Sequence, residues 1–263
     1  MKISIFYDHI VSAAKQEGTE TEEMLERAMY LGFSGLEIDY SFFNSDLVKK
    51  VKASGMETSS VYILCDRKSI DSKSEKERFL HDAAAIGSRK VMIVPKLIQN
   101  REMKKTVEEL QEICDLAGSY GIKVTVENFD YFDSPCCGVE NLRSIFDCVP
   151  ELGWTFDTGN FIYCGQDALE AFEVLKDRLS HCHIKDRRLT PLFEGDKGSL
   201  TLDGKTLYPS PAGDGILRIE DCLTAIKRQG YDDYIAIEHF GTDKHLAYMR
   251  QEASLCMAKC KCD

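Results

Sequence analysis

A chain of 263 residues with 43% hydrophobic and 29% charged residues has the balance of a folded globular protein and is long enough to bury a sizeable core. Its formal net charge of −11, from 44 acidic against 33 basic residues, repels phosphodiester backbones and argues against nucleic acid as a partner. No stretch approaches the roughly 18 uninterrupted apolar residues of a membrane span, and Asp8 and His9 interrupt the opening MKISIFYDHIVSAAK before a signal core forms, so no membrane association is expected.

Taken in chain order, short apolar runs alternate with longer amphipathic ones, the pattern of βα units around a parallel sheet. ISIFY (3–7) reads as the first strand. TEEMLERAMYLG follows as a helix, with Met24, Leu25, Ala28 and Leu31 at helical spacing and Gly32 as its stop. GLEID (35–39), TSSVYIL (58–64) and KVMIV (90–94) are the next strands. KKTVEELQEICDLAGSYG places Val107, Leu110, Ile113, Cys114 and Ala117 on one helical face, and KVTVEN (123–128), LGWTFD (152–157) and SHCHIK (180–185) continue the strands.

Residues 189–211 break this rhythm. Gly195, Gly198, Gly204, Pro191, Pro209 and Pro211 with little periodicity read as a long loop inserted after the seventh strand. IEDCLTAIKRQG then gives a helix ending at Gly230, and YIAIE (234–238) is the eighth strand. Eight strands alternating with helices over about 250 residues predict a single-domain (β/α)8 TIM barrel spanning 1–263. An open doubly wound sheet is the rival, but no glycine-rich phosphate loop follows the first strand.

Eleven cysteines are scattered through apparent strands and helices of a chain too large to need disulfide staples, which fits reduced thiols and a cytoplasmic location. Cys136 and Cys137 are vicinal in a loop. Cys256, Cys260 and Cys262 fall in a lysine-rich C-terminal tail, at a spacing that is no standard zinc pattern.

Alternation along the strands locates the polar residues. Val124 and Val126 lie opposite Thr125 and Glu127; Leu152, Trp154 and Phe156 lie opposite Thr155 and Asp157. Cys182 and Ile184 lie opposite His181, His183 and Lys185; Ile235 and Ile237 lie opposite Ala236 and Glu238. With the bulky faces on the helices, Glu127, Asp157, His183 and Glu238 point inward near the C-terminal ends of four strands, the rim where barrels collect catalytic groups. Taken singly, each reads as a hydrogen-bonded or solvated strand end. Together, three carboxylates at one rim repel one another unless a cation joins them, and with one imidazole they suit manganese, magnesium, cobalt or zinc. Lys185 faces the same cavity, where it can stabilise enediolate charge or bind a substrate oxygen. His181 sits one layer lower and is expected behind the site.

GFSGLEID on the second unit, VENF on the fifth strand, FDTGNF on the sixth, HIKD on the seventh and GDGILRIEDCLTAIKRQGYDDYIAIEH into the eighth resemble the sugar phosphate isomerase/epimerase group of the xylose isomerase-like barrels. The resemblance spans nearly the whole chain, in the order of that group. It implies metal ligation by Glu127, Asp157, His183 and Glu238, with the two glutamates also serving as acid and base on opposite faces of a sugar. One position departs: many such proteins read DTGH, whereas this chain has Asn160, which can bind a substrate hydroxyl but does not titrate near neutral pH.

The expected activity is a divalent-metal-dependent isomerase or epimerase of a monosaccharide, sugar phosphate or related polyol. The alternative is a lyase that dehydrates a keto-inositol. An abasic-site endonuclease is disfavoured by the charge and by the absence of histidine in the third and fourth strands, and a non-catalytic sugar-binding barrel is the remaining class. His9, at the end of the first strand, is a further candidate to reach the substrate, with a solvated loop position as its plainer reading. His239 is placed at the cavity mouth, and His81 and His245 on helices. Arg187 and Arg188 are candidates to clamp a phosphate, with the turn Gly213 to Gly215 offering N–H groups to the same anion. The sequence is compatible with a homo-oligomer.

Overall fold

Eight parallel strands close into a barrel in the computed structural model, which describes residues 1–65, 70–95 and 103–261, with side chains through Ser254. The strands are β1 (Lys2–Phe6), β2 (Gly35–Asp39), β3 (Glu57–Leu64), β4 (Lys90–Val94), β5 (Lys123–Glu127), β6 (Gly153–Asp157) and β7 (Leu179–Ile184), with β11 (Tyr234–Ile237) pairing both β7 and β1 to complete the ring. The outer layer is α1 (Tyr7–Glu17), α2 (Thr21–Tyr30), α3 (Ser45–Ser54), α4 (Lys73–Ala85), α5 (Met103–Ala117), α6 (Val139–Cys148), α7 (Ala168–Leu175), α8 (Ile219–Arg228) and α9 (His245–Lys261). Among the described residues, no helix is long and apolar enough to cross a membrane.

The helices begin where the side chains supply oxygen acceptors. Asn44 Oδ1 takes the N–H groups of Asp46 and Leu47, Asp167 does the same for α7, and Ser72 with Glu75 forms a reciprocal capping box before α4. Their apolar faces meet the outward face of the barrel. Val124, Val126, Trp154, Phe156, Cys182, Ile184, Ile235 and Ile237 are all buried in that single layer, as strand alternation predicts. Each such aliphatic side chain contributes about 1.5–3 kcal/mol.

Inside the ring, polar side chains find partners on neighbouring strands. Thr125 Oγ1 lies 2.7 Å from Thr155 Oγ1, and Ser4 Oγ donates to the Ile235 carbonyl at 3.3 Å. A small apolar cap of Phe6, Tyr62, Met92, Val94 and Ala236 closes the core near its upper end. The interior below the rim is therefore lined by polar side chains such as Ser4, Thr125 and Thr155.

Residues 189–211 are not wholly irregular. Three short antiparallel strands, β8 (Asp186–Arg188), β9 (Ser199–Leu200) and β10 (Thr206–Ser210), form a separate sheet in the order β8-β10-β9, with Asp186 opposite Ser210. The expected loop is thus partly a platform over the barrel mouth. Cys262 lies outside the described residues, and the side chains of Cys256 and Cys260 are likewise not described, so the reading of that tail lies outside the described part of the structure.

Candidate metal centre

Glu127, Asp157, His183 and Glu238 arrive at one place from β5, β6, β7 and the residue after β11. One ligand atom from each lies within 4.8 Å of the others, and all four residues are buried. Register accounts for the convergence. Asp157 pairs with His183, His183 pairs with Ala236, and Glu238 stands two residues beyond that pair with its N–H on the Ile184 carbonyl at 3.0 Å. Asn128 fastens the first two strands at the right height: its Oδ1 accepts the Asp157 N–H at 2.9 Å and the Trp154 indole N–H at 3.1 Å, while its Nδ2 donates to the Asp157 carbonyl at 2.8 Å.

His183 Nδ1 faces Glu127 Oε1 at 2.7 Å and Glu238 Oε2 at 3.4 Å, while Nε2 faces Glu37 Oε1 at 3.5 Å on β2. This divides the ring into a nitrogen turned to the cluster and a nitrogen turned to a supporting carboxylate, the arrangement that orients a metal-binding imidazole. Glu37 also accepts from His181 Nε2 at 2.8 Å, so His181 lies behind the centre as expected. Glu37 was not singled out by the sequence. The same alternation test identifies it, because it lies between outward-facing Leu36 and Ile38 and is fully buried.

The carboxylates crowd one another. Burial and the neighbouring Glu238 and Glu127 carboxylates raise the Asp157 carboxyl well above its usual range, against the pull of Lys185. Burial likewise raises Glu127, with His183 opposing it. Burial alone would raise Glu238, but Lys185 and His183 outweigh it and hold it at about 2. Burial would lower His183, yet Glu127, Glu238 and Glu37 raise it well above the ordinary imidazole value. Glu127, Asp157 and Glu238 thus face Lys185 and the His183 imidazole, with Glu37 behind them against His181 and His183. Among the described residues, no group makes a hydrogen bond to Asp157 Oδ2, and His183 Nε2 and Glu37 Oε1 make none beyond their mutual approach at 3.5 Å. A divalent cation on the four residues satisfies both the charge and the open oxygen, and the donor set fits one.

The remaining expected contacts divide. The Lys185 ammonium binds Glu238, lies 3.4 Å from Asp157 Oδ2 and donates to Asn160 Oδ1 at 2.8 Å, and the Asn160 amide nitrogen has no hydrogen-bond partner among the described residues. Arg187 is buried and lines a cavity of about 320 Å³ above the cluster, shared with Glu127, His183, Lys185, Glu238 and the apolar Phe6, Tyr62 and Met92. A larger cleft of about 1020 Å³, beside Gln166, Leu202 and Leu217, contains none of the four.

Two expectations are corrected. His9 is in the first turns of α1, fully buried, and does not line the cavity or a solvated loop; its Nε2 accepts the His239 N–H at 3.0 Å. Its ring stacks on His239 at 4.0 Å with planes 16° apart and lies 4.9 Å from His245, and burial keeps His9 neutral. One ring nitrogen each of His9, His239 and His245 lies within 4.8 Å of the others, so this buried trio is a second group whose donor atoms could hold a metal ion. His239 is itself buried, with Nδ1 donating to Glu252 Oε2 at 2.7 Å, whereas His81 is exposed on α4. Second, the turn at Gly213 and Gly215 has no N–H to offer an external anion: both groups donate to Asp186 Oδ2, at 2.9 and 3.0 Å.

The family model of the xylose isomerase-like TIM barrel matches residues 14–260. The chain belongs to that family. The chain is similar to an inosose isomerase of Bacillus velezensis, 25% identical over 177 residues, covering 64% of this chain and 59% of that one. It is also similar to an inosose dehydratase of Clostridium perfringens, 28% identical over 149 residues, covering 54% and 49%. The chain thus spans less than two thirds of the length of these curated relatives. A xylose isomerase-like TIM barrel protein of Mycobacterium smegmatis, solved in complex with magnesium, shares the fold at a TM-score of 0.68 and 16% identity, over 91% of this chain and 87% of that one.

Proposed function

We propose that this chain is a divalent-metal-dependent isomerase or epimerase of a monosaccharide, sugar phosphate or related polyol, working in the cytoplasm by carboxylate-mediated proton transfer. The observation that carries the reading is the convergence of Glu127 and Glu238 on Asp157 and His183 at the floor of the barrel-mouth cavity. Magnesium bound to a fold neighbour and free thiols in this chain support the cofactor class and the compartment.

A bound divalent cation would polarise a substrate carbonyl and its adjacent hydroxyl and so acidify the neighbouring C–H. Glu127 and Glu238 both face His183 Nδ1 yet have opposite proton affinities, Glu127 raised and Glu238 lowered. That separation suits one carboxylate to take a proton as the other returns it. The Lys185 ammonium lines the cavity, where it would stabilise an oxygen that gains charge as the proton leaves, and the Asn160 amide held by it would offer a donor to a hydroxyl. Phe6, Tyr62 and Met92 cover the other wall and limit water.

Dehydration of a keto-inositol is the second reading. It begins with the same proton abstraction and ends with loss of a hydroxyl, and it is favoured by the inosose dehydratase relative and by the non-titrating Asn160, which removes one of the groups an epimerase of the DTGH type carries. One experiment tests both: metal-loaded protein is incubated in deuterated water with inososes and a panel of ketoses, aldoses and their phosphates. Deuterium at the carbon beside the carbonyl without loss of water is the isomerase outcome, and water loss is the dehydratase outcome. Glu127→Gln and Glu238→Gln are each expected to lower turnover by about 10²–10⁴-fold. Absence of exchange, epimerisation and water loss across the panel overturns the proposal.

A further inference from the structure

Lys185, Arg187 and Lys197 are the lysine and arginine side chains that line the cavity above the metal centre. Lys185 is matched by Glu238 and Asp157, and Arg188, next along the chain, meets Asp214 at 3.8 Å. Lys197 is exposed, where water screens its charge. Arg187 differs from all of these: it is only 5% exposed and forms no ion pair among the described residues. Its Nη1 donates to the Phe240 carbonyl at 3.3 Å, its guanidinium carbon lies 5.7 Å from the centre of the Tyr163 ring, and its buried Nε has no hydrogen-bond partner. Asp8 and Asp130 reach the same cavity, but Asp8 accepts from the Tyr62 hydroxyl at 3.0 Å and neither pairs with Arg187.

A guanidinium does not shed its proton on burial, so its charge is either met by an anion or carried uncompensated. With Nη1 on Phe240, the open edge of the fork is the one that Nε shares with Nη2. Two parallel N–H groups of that kind are spaced for the two oxygens of one carboxylate. A dianionic phosphate calls for a second buried positive charge or a cradle of backbone N–H groups. The turn beside Arg187 that could form such a cradle has its Gly213 and Gly215 N–H groups on Asp186.

We propose that the substrate carries a carboxylate, as a sugar acid or a carboxylated cyclitol does, and that Arg187 binds it while the reacting carbonyl and hydroxyl lie over Glu127 and Glu238. This rests on the reading of the cavity as the substrate site. Lys185 and Arg187 are two residues apart, so one short segment faces the metal cluster at one end of the substrate and reads its charge at the other. A cavity of about 320 Å³ suits one small acid. Arg187 makes and breaks no bond; it sets which substrate is held.

The test uses the whole metal-loaded protein and three hexoses, glucose, galactose and mannose, each as the neutral sugar, the uronate and the terminal phosphate ester, which differ only at the last carbon. In calorimetric titrations at least one uronate is expected to bind at least about tenfold tighter than its neutral and phosphorylated counterparts. Arg187→Gln should remove that preference, and Arg187→Lys, which keeps the charge without the fork, should restore only part of it. Because Arg187→Gln relieves an unpaired buried charge, the ligand-free variant should melt no lower than the parent, which separates loss of binding from loss of fold. In the deuterium-exchange assay, Arg187→Gln should lower the ratio of kcat/KM for the acid over its neutral parent by about 10–100-fold, mainly through KM. Preference for neutral or phosphorylated sugars overturns the proposal and leaves the isomerase reading standing, and so does an Arg187→Gln protein that melts lower or keeps its preference for the acid. Arg187-dependent carboxylate binding with neither exchange nor water loss sustains the carboxylate site and overturns the isomerase reading instead.

Discussion

Asp157 shows how a single carboxyl can work against the fold that holds it. Its N–H and its Oδ1 are engaged, the latter by the Gly159 N–H at 2.7 Å, but Oδ2 has only the Lys185 charge at 3.4 Å. Burial raises its proton affinity above that of an unfolded chain, so at neutral pH the ionised form favours unfolding, and this penalty fades as pH falls. Asp157→Asn keeps the Oδ1 acceptor and removes the charge. The metal-free variant is therefore expected to melt higher than the parent, by about 2–4 °C for each kcal/mol relieved. Its response to added divalent ions should weaken by at least about tenfold in affinity. Thermal melts of both proteins, with and without chelator, read the two effects separately. A variant that melts lower in the metal-free state would show that Asp157 supports the fold instead of straining it.

At the scale of elements, Asp186 joins the small sheet to the barrel. One carboxylate at the start of β8 accepts N–H groups from Arg187, Gly213, Gly215 and Leu217, pinning the chain as it returns to α8. Gly215 is required there, because a Cβ would stand 2.3 Å from the Arg187 carbonyl oxygen. Asp186→Ala leaves these N–H groups unpaired and should cost about 2–3 kcal/mol, seen as a lower urea midpoint and as new proteolytic cleavage between residues 189 and 218. An unchanged midpoint would mean the segment is held by other contacts. This joint was invisible in the sequence. A glycine turn reads as an open donor, and only the fold reveals that its anion is an aspartate 27 residues earlier. Two- and three-residue antiparallel strands such as Ser199–Leu200 carry no readable period either. The barrel strands were legible because Val, Ile, Trp and Phe alternate with small or polar residues, and Glu127, Asp157, His183 and Glu238 were legible as the last inward positions of that alternation near strand ends. His9 was misplaced because YDHIVSAAK continues without a turn residue into α1, so the ring rotates with a helix away from the mouth.

For the whole molecule, two electrostatic effects overlap: a formal charge of −11 spread over the chain, and a buried knot of four carboxylates, Glu37 included, against Lys185, His181 and His183. Any salt screens the first, over about 10 Å at 0.1 M, whereas only a coordinated ion relieves the second. The two separate in a melting experiment on chelator-treated protein. Mass action at about one hundred times Kd adds about 2.7 kcal/mol to stability. For a chain of this size that is a rise of about 5–10 °C in melting temperature. Manganese, magnesium, cobalt or zinc should produce it at concentrations too low to change ionic strength, while sodium chloride matched in ionic strength should not. Glu127→Gln and Glu238→Gln should lose the rise yet keep the response to bulk salt, since they change the knot and leave the rest of the charge in place. If all four ions move the melt no further than matched sodium chloride, the four residues are a hydrogen-bonded polar core held by Lys185, and the catalytic reading built on them fails with it.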